Sequence, residues 1–322
     1  MTQQIPLASG FGARSTAWDV LSGISLNGRQ VIVTGGYSGL GLETTRALAG
    51  AGADVIAPGR TPAKATAALE SIPRAKAGAL DLADPASIDA FAAGIVAEGK
   101  PLPILICNAA IMACPLERDA RGYESQFVTN HLGHWQLIAR LWPALAQAGQ
   151  NGGARVVCLS SLGHRLGAVN FEDPHYQHRD YNKWQAYGQA KTANSLTAIA
   201  LDAKAKAHGV RAFAVHPGGI MTDLQRSLPK AEMVAFGWID EAGNVNPQFK
   251  TPEQGAATSV GCATSPQLAG KGGLYCEDCD VAALVPDDDK GVTGVRSWAV
   301  DPVAADRLWA MSEAQTGVKS PI

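Results

Sequence analysis

Between residues 29 and 225, short apolar runs alternate with longer segments whose apolar residues recur every three or four positions. The short runs, such as QVIV and ILIC, have the length of strands. Their nearly continuous apolar character is typical of parallel strands buried on both faces. Strands that alternate with helices over about 190 residues favour a parallel sheet with helices on both faces. The pattern therefore predicts an α/β fold, a single doubly wound parallel-sheet (Rossmann) domain with N- and C-terminal extensions.

No linker or change of composition interrupts the alternating pattern, so residues 29–322 are predicted to form one domain. Residues 1–28 contain no strong strand, and STAWDVLSGI predicts only a short helix capped by Ser15 or Thr16. We predict that residues 1–28 are an N-terminal extension that lies on the main domain.

Polar and glycine-rich residues gather where the predicted strands end. The carboxyl ends of parallel strands meet at one edge of a sheet, and ligands bind in the crevice there. Six strand ends have this character, and they read TGGYSGLG, PGR, LDLAD, CNAA, LSS and HPGG. Together they predict one ligand site at this edge.

The first of these ends, TGGYSGLG, lies between a predicted strand and a predicted helix. A helix N-terminus has unpaired N–H groups and favours an anion, and Gly35, Gly39 and Gly41 would let a diphosphate approach the main chain. The spacing G-x-x-x-G-x-G differs from the G-x-G-x-x-G dinucleotide fingerprint. On this stretch alone, an ordinary tight turn stays an alternative.

Composition narrows the classes of function. The chain has 322 residues, 46% hydrophobic and 17% charged, which is typical of a globular protein, and its formal net charge of -2 gives no argument for a nucleic acid or acidic membrane partner. The N-terminus lacks a basic region followed by an apolar core, and no apolar run approaches the roughly 18 residues of a membrane span. We therefore predict a soluble cytoplasmic protein without a membrane anchor. The sequence does not decide whether the protein forms a homo-oligomer.

Neither the cysteines nor the histidines predict a metal site. The six cysteines are irregularly spaced, which fits reduced thiols in the cytosol. The C-x-x-C pair, Cys276 and Cys279, is far from any strand–helix–strand start, so a structural or incidental role is favoured. His131 and His134 have no third ligand at a zinc-like spacing, and packing or hydrogen bonding is the preferred interpretation.

The sequence YGQAK places Tyr187 and Lys191 on one face of the helix that follows the LSS strand. Free tyrosine has a pKa of about 10, and an adjacent ammonium lowers it. We predict that Lys191 lowers the pKa of Tyr187 for acid–base work, while a serine of LSS holds the substrate oxygen. Adjacent serines at a strand end point to opposite faces, so only one of Ser160 and Ser161 can serve. An exposed helical pair without function is the competing interpretation.

From about residue 29 to residue 225, the sequence resembles the short-chain dehydrogenase/reductase family. The motifs that carry the resemblance are TGGYSGLG, LDLAD, NAA, TN at 129–130, SS at 160–161, YGQAK and HPGGIMT. VTNHLGHW, SSLGHR and ADVIAPGR are similar to the retinol-dehydrogenase-like and protochlorophyllide-reductase-like branch. NAA departs from the usual NAG of the family, and Ala110 is expected to be tolerated if its φ is negative.

The resemblance implies roles for residues at the matching positions. Tyr187 is implied to be the acid–base group, and Lys191 to bind the nicotinamide ribose as well. Ser161 is implied to hold the carbonyl oxygen, and Asn130 to order a water in a proton relay. The cofactor-binding residues predicted from the glycine loop and from these matches are Gly35, Gly39, Leu40, Gly41, Asp81, Leu82, Asn108, Ala109, Lys191, Pro217, Gly218, Ile220 and Thr222.

The end of the second predicted strand favours NADP(H) over NAD(H). An NAD site normally has an acidic residue about 20 residues after the glycine loop. Here the strand ends VIAPGRT, and Asp54 lies at its opposite end. Arg60 stands where a guanidinium could pair with a 2′-phosphate in a bidentate fork, and Ser38 and Thr61 could add hydroxyl donors. A solvated Arg60 at the entry of the next helix is the alternative.

These features predict an oxidoreductase that transfers hydride between a nicotinamide and a carbonyl or alcohol carbon of a small molecule. Segments 163–185 and 223–250 are irregular and are predicted to cover the substrate, and their aromatic residues suit a mostly apolar substrate, aromatic ones included. A carbon–carbon double-bond reductase and a non-catalytic dinucleotide-sensing regulator are the alternatives. The aromatic residues are Phe171, Tyr176, Tyr181, Trp184, Phe236, Trp238 and Phe249, and the histidines considered as polar anchors or solvated residues are His164, His175 and His178.

Overall fold

Eight strands lie in one sheet in the computed structural model, which describes residues 2–322. They are β1 Gln30–Val33, β2 Asp54–Gly59, β3 Ala75–Ala79, β4 Ile104–Cys107, β5 Ala154–Leu159, β6 Val210–His216, β7 Leu274–Glu277 and β8 Asp280–Val281. Their order across the sheet is β3-β2-β1-β4-β5-β6-β7-β8, and only the β7–β8 pair is antiparallel. The reversal of strand order beside β1 confirms the predicted doubly wound α/β fold.

Helices cover both faces of this sheet. The α-helices are α1 Ala17–Val20, α2 Gly39–Gly50, α3 Pro62–Leu69, α4 Pro85–Ala97, α5 Ser125–Phe127, α6 Gly133–Gln150, α7 Lys183–Ala205, α8 Lys230–Ala235, α9 Pro252–Thr264 and α10 Pro302–Thr316. Short 3₁₀ helices occupy Leu162–Leu166, Lys206–His208, Asp223–Ser227, Pro266–Leu268 and Ser297–Ala299, and a π-helix occupies Val128–Leu132. No helix in residues 2–322 has both the length and the apolar character that a membrane crossing requires.

The alternation of side chains along the strands divides the interior into two cores. In β1, Val31 and Val33 belong to the core that contains α2 and α9, whereas Ile32 belongs to the core that contains α4, α6 and α7. All three residues are fully buried. Burial on both faces explains why β1 reads as a nearly continuous apolar run.

The C-terminal third of the chain contains strands and helices that the sequence analysis did not predict. β7 pairs with β6 in parallel, and α9 packs against α2, so these elements complete the sheet and one of its two helical layers. The N-terminal extension lies across the same edge: the Gln4 amide donates to the carbonyls of Tyr275 and Ala282, and Asp280 accepts from the backbone of Leu7. Its short helix begins at a capping box of Thr16 and Asp19.

Five of the seven histidines are buried, and burial lowers the pKa of each below 6.5. The pKa is about 3 for His131 and His216, and about 4 for His134, His164 and His175.

These shifts predict acid sensitivity. An unfolded histidine gains its proton at about pH 6.5, whereas these folded histidines stay neutral to about pH 4, so the unfolded state binds more protons in that window. We expect the free energy of unfolding to fall as the pH falls from about 6.5 towards 4. Urea unfolding between about pH 7.5 and pH 5 measures this slope. His131→Gln should make the slope shallower, the exposed control His178→Gln should leave it unchanged, and a pH-independent midpoint would contradict the prediction.

Candidate active site

A cavity of about 780 Å³ opens where β1 to β6 end, at the edge of the sheet that the sequence indicated. This volume lies within the range of about 300–1,000 Å³ that is typical of ligand pockets. Every residue predicted to bind the cofactor, apart from the hydroxyl donor Thr61, lines the cavity, and so do Ser161 and Tyr187. Asn130 and Thr61 are the predicted site residues that do not line it.

One part of the cavity is formed by the N-terminus of α2. The first hydrogen bond of this helix joins the Leu42 N–H to the Ser38 carbonyl, at 3.1 Å. The N–H groups of Gly39, Leu40 and Gly41 therefore have no acceptor within the helix, and these residues line the cavity. Ser38 is the N-cap, yet its hydroxyl makes no capping bond. This end of the cavity can bind a phosphate through backbone N–H groups and one free hydroxyl.

Two glycines of the loop are required by the protein itself. Gly35 has a φ of 63°, and a Cβ at Gly41 would lie only 2.4 Å from the Gly35 carbonyl oxygen. A side chain at Gly41 is therefore excluded by the backbone of the preceding turn. The glycine loop lets α2 start directly against the end of β1, and that close approach places the open N–H groups at the cavity.

The adenosine side of the predicted site is formed by the ends of β2 and β3. Arg60 follows β2 at the cavity, and its guanidinium has no hydrogen bond or ion pair with any residue in 2–322. Thr61 is the N-cap of α3 and makes no side-chain cap bond. Asp81 accepts from the Ala83 N–H at 2.9 Å and so holds the LDLAD turn. Tyr37, which the sequence analysis did not single out, lies against Gly59 and lines the cavity here.

Tyr187 and Lys191 share one face of α7, as the spacing predicts, and both are buried. The Lys191 Nζ donates to the Leu159 carbonyl at 3.0 Å and lies 5.6 Å from the centre of the Tyr187 ring. Burial raises the pKa of Tyr187 to about 12, while the nearby Ser161 hydroxyl acts in the lowering direction. Burial also lowers the pKa of Lys191 to about 7. The expected lowering of the Tyr187 pKa by Lys191 is therefore not seen in the protein alone, where burial has the largest effect on this pKa.

The two serines after β5 have different surroundings. Ser160 is buried; its Oγ donates to the Lys191 carbonyl and accepts from Ser195 Oγ, each at 2.9 Å. Ser161 is partly exposed and its Oγ accepts from the Gly163 N–H at 3.1 Å. A Cβ at Gly163 would lie 2.9 Å from Tyr187 Cε1 and 3.5 Å from Ser161 Oγ, so these two side chains flank the same backbone position.

Asn130 lies behind the cavity wall, in the π-helix between α5 and α6. Its Oδ1 accepts from the Ile111 N–H and its Nδ2 donates to the Ile111 carbonyl, both at 2.9 Å. The amide therefore holds Ile111, which lines the cavity, and does not itself reach the cavity. Its part in a proton relay stays a prediction.

The loop after β6 carries Pro217, Gly218 and Ile220 along the cavity. The aliphatic chain of Lys250 lies against Gly218, and the Lys250 Nζ pairs with Asp278 at 2.6 Å. Asp278 belongs to the tight turn between β7 and β8. It lies between the two cysteines of the C-x-x-C pair, Cys276 in β7 and Cys279 in the turn, and both are free thiols. This turn supports the loop after β6 from outside the cavity.

The opposite end of the cavity is aromatic. Four of the seven aromatic residues expected to cover the substrate line the cavity. Trp184, Phe236, Trp238 and Phe249 line it. Phe171, Tyr176 and Tyr181 do not, so segment 163–185 covers the cavity only near its two ends. Met112 and Leu166 also line the cavity and were not predicted from the sequence, because Met112 lies in an irregular loop and Leu166 in a short 3₁₀ helix, and neither segment has a periodic apolar signal.

The loop histidines considered as substrate anchors have other roles. His164 Nδ1 is 2.7 Å from the Ser161 carbonyl oxygen, and its Nε2 accepts from the Arg296 N–H. His175 Nδ1 accepts from the Glu124 N–H, while His178 is exposed. Within residues 2–322, no three side chains of His, Cys, Asp or Glu are grouped to hold a metal ion.

The groups that line the cavity fit a dinucleotide. The cavity combines open N–H groups at a long helix, a free arginine at one end and a buried tyrosine–lysine pair farther along. Ala110, where the family usually has glycine, is not among the residues with positive φ, so its Cβ causes no backbone strain.

Comparisons with known proteins point in one direction. The family model for short chain dehydrogenase matches residues 29–233. A Streptomyces lividans protein named "Probable oxidoreductase" is 47% identical over 294 residues, which cover 89% of this chain and 97% of that protein. Mouse retinol dehydrogenase 12 is 35% identical over 302 residues, covering 92% and 89% of the two chains. The crystal structure of an uncharacterized protein from Mycobacterium paratuberculosis has a TM-score of 0.71 and 32% identity, and the match covers 92% of this chain and 97% of that one.

Proposed function

Since the chain belongs to the short-chain dehydrogenase/reductase family and to its retinol-dehydrogenase-like branch, we propose that it transfers hydride between NADP(H) and a carbonyl or alcohol carbon of a mostly apolar substrate, aromatic ones included. Membership makes it an oxidoreductase that uses a nicotinamide dinucleotide and acts on CH–OH or C=O groups. The preference for NADP(H), the substrate class and the residue roles are the proposal.

The observation that carries the proposal is the meeting of two groups of residues in one cavity. The open N–H groups at the start of α2 suit the diphosphate, and Ser161 and Tyr187 lie farther along the same cavity. The dinucleotide supplies or accepts the hydride when it is bound. Ser161 Oγ orients the substrate oxygen, and the Tyr187 hydroxyl gives that oxygen a proton in reduction or takes one in oxidation. Lys191, fixed by the Leu159 carbonyl, binds the ribose and stabilises the phenolate.

A substrate screen tests the proposal. Purified protein is incubated with aldehydes, ketones and alcohols of aromatic and aliphatic type, each with both cofactors, and cofactor oxidation or reduction is followed by absorbance. We expect turnover of carbonyl compounds or alcohols, with aromatic or large apolar ones preferred. Product analysis separates carbonyl reduction from double-bond reduction. Binding of the cofactor without turnover of any compound would contradict the proposed reaction.

Arg60 is the basis of the proposed cofactor preference. Its guanidinium is unpaired among residues 2–322. Ser38 lines the same cavity with a hydroxyl that makes no capping bond, and Thr61, the next residue in the chain, makes no side-chain cap bond either, which supports a 2′-phosphate contact at this end. We expect native kcat/KM to be higher with NADP(H), and Arg60→Ala to lose about 1–3 kcal/mol of that discrimination. Steady-state kinetics with both cofactors measures it.

Arg74→Ala is the matched control for Arg60→Ala, because Arg74 pairs with Asp54 at the opposite end of β2. It should leave the cofactor ratio unchanged. A native preference for NAD(H), or equal ratios in the native enzyme and Arg60→Ala, would remove Arg60 from the site.

A further inference from the structure

The segment of residues 230–246 covers the aromatic end of the cavity and is weakly attached to the rest of the chain. Its helix, α8, has no buried residue, and Phe236 is 49% exposed. The segment folds mainly on itself: for example, the Asn246 N–H donates to the Trp238 carbonyl at 2.9 Å. Few contacts therefore fix its position over the substrate end.

Glu232 makes the polar contacts that fix the segment of residues 230–246 in position. Its Oε2 lies 2.6 Å from Lys183 Nζ, and its Oε1 accepts from Trp184 Nε1 at 2.8 Å. All other hydrogen bonds of residues 230–246, within the part of the chain that the structure describes, are with residues 229–249. One carboxylate thus joins this segment to two consecutive residues at the start of α7.

The contact reaches the reacting end of the cavity through Trp184. The Trp184 ring packs edge-to-face against Phe236 at 5.4 Å and against Trp238 at 5.9 Å. Trp184 and Trp238 belong to the same apolar cluster as Tyr187, which follows Trp184 by one turn of α7. The carboxylate fixes the indole orientation, and the indole provides the surface on which the other two rings pack.

We propose that Glu232 is a positioning residue that holds residues 230–246 closed on α7, completes the aromatic wall and so gives the enzyme its selectivity for aromatic over small aliphatic carbonyl compounds. The inference rests on the proposed function in one respect, the entry of the substrate at the aromatic end of the cavity. An aromatic substrate needs the assembled rings in its ground state and its transition state alike. Loss of Glu232 should therefore act mainly on KM and leave kcat nearly unchanged.

The test compares a benzaldehyde with propanal. Glu232→Ala should raise KM for the benzaldehyde about tenfold, the size expected when a charge-assisted contact is lost, and change kcat and the propanal KM by less than about twofold. Glu232→Gln keeps an oxygen that can accept from the indole and should recover part of the effect. Glu241→Ala, which removes an exposed carboxylate from the same segment, should match the native enzyme.

Hydrogen exchange of residues 230–246 keeps this test separate from the proposed reaction. Glu232→Ala should speed exchange there, and Glu241→Ala should not. If the native protein turns over no carbonyl compound but the exchange result holds, the proposed function fails while the positioning role stands. An equal loss for both aldehydes, or unchanged exchange in Glu232→Ala, would overturn the inference.

Discussion

Tyr187→Phe is expected to lower kcat by about 10² to 10⁴, the usual contribution of a general acid–base group. The phenylalanine ring fills the same buried space next to Gly163, so packing is retained, but no hydroxyl can exchange a proton with the substrate oxygen. Because the phosphate end of the cavity is untouched, the Kd of NADP(H) should stay nearly the same. Steady-state turnover and fluorescence titration of the cofactor measure the two quantities.

Tyr176→Phe provides the control for the loss of a buried tyrosine hydroxyl. Tyr176 is buried, its hydroxyl has no hydrogen-bond partner within residues 2–322, and it does not line the cavity. Its variant should keep native turnover. Native kcat in Tyr187→Phe would remove Tyr187 from the reaction, whereas weak cofactor binding would show that the substitution disturbed the fold.

The first six strands were predictable, and β1 and β4 are the clearest cases because each is a short, nearly continuous apolar run that is followed by a polar or glycine-rich segment. Val31, Ile32 and Val33 illustrate the reason: burial on both faces removes polar positions from the strand. β7 was missed because its sequence, LYCE, ends in a glutamate, and only the tertiary structure shows that this glutamate is buried. α10 was missed although a signal is present, since Asp301 caps it, Pro302 begins it, and its buried residues follow helical spacing.

The phosphate end of the site was more predictable than its aromatic end. The glycine loop, Arg60 and the pair on α7 are each fixed by local spacing relative to a strand or a helix. The rings of Phe171 and Phe249 lie in irregular segments, where sequence carries no information on direction. Phe171 packs against the core that contains α4, α6 and α7, whereas Phe249 lines the cavity. Only the tertiary structure makes this distinction.

Asn130 shows a different limit of prediction from sequence. The motif identified this residue, but it does not reveal that a π-helical segment turns the Asn130 amide onto Ile111. The extra residue in such a turn changes which side chains face the sheet, and helical periodicity does not reveal it. Likewise, the burial that raises the pKa of Tyr187 depends on its packing with Met112 and Leu228, which are distant from it in sequence.

Ser161→Ala is expected to reduce activity strongly, and Ser160→Ala to reduce stability instead. Ser161 Oγ faces the cavity beside Tyr187, and removing one donor from a reacting oxygen typically costs about 10² to 10³ in kcat. The Ser160 hydroxyl joins Lys191 and Ser195 inside the core, so its loss leaves the Lys191 carbonyl without that donor. We expect Ser160→Ala to lower the free energy of unfolding by about 1–3 kcal/mol.

Turnover and urea unfolding of both variants distinguish these two roles, since each measurement should change in one variant and stay near native in the other. Ser161→Thr is the matched variant, because it keeps a hydroxyl at the same position and should retain more activity than Ser161→Ala. The opposite pattern, an inactive Ser160→Ala and an active Ser161→Ala, would mean that the substrate oxygen lies on the Ser160 side. The Ser160 hydroxyl would then have to leave the Lys191 carbonyl and Ser195 Oγ to bind the substrate oxygen, and the assignment of Ser161 would fall.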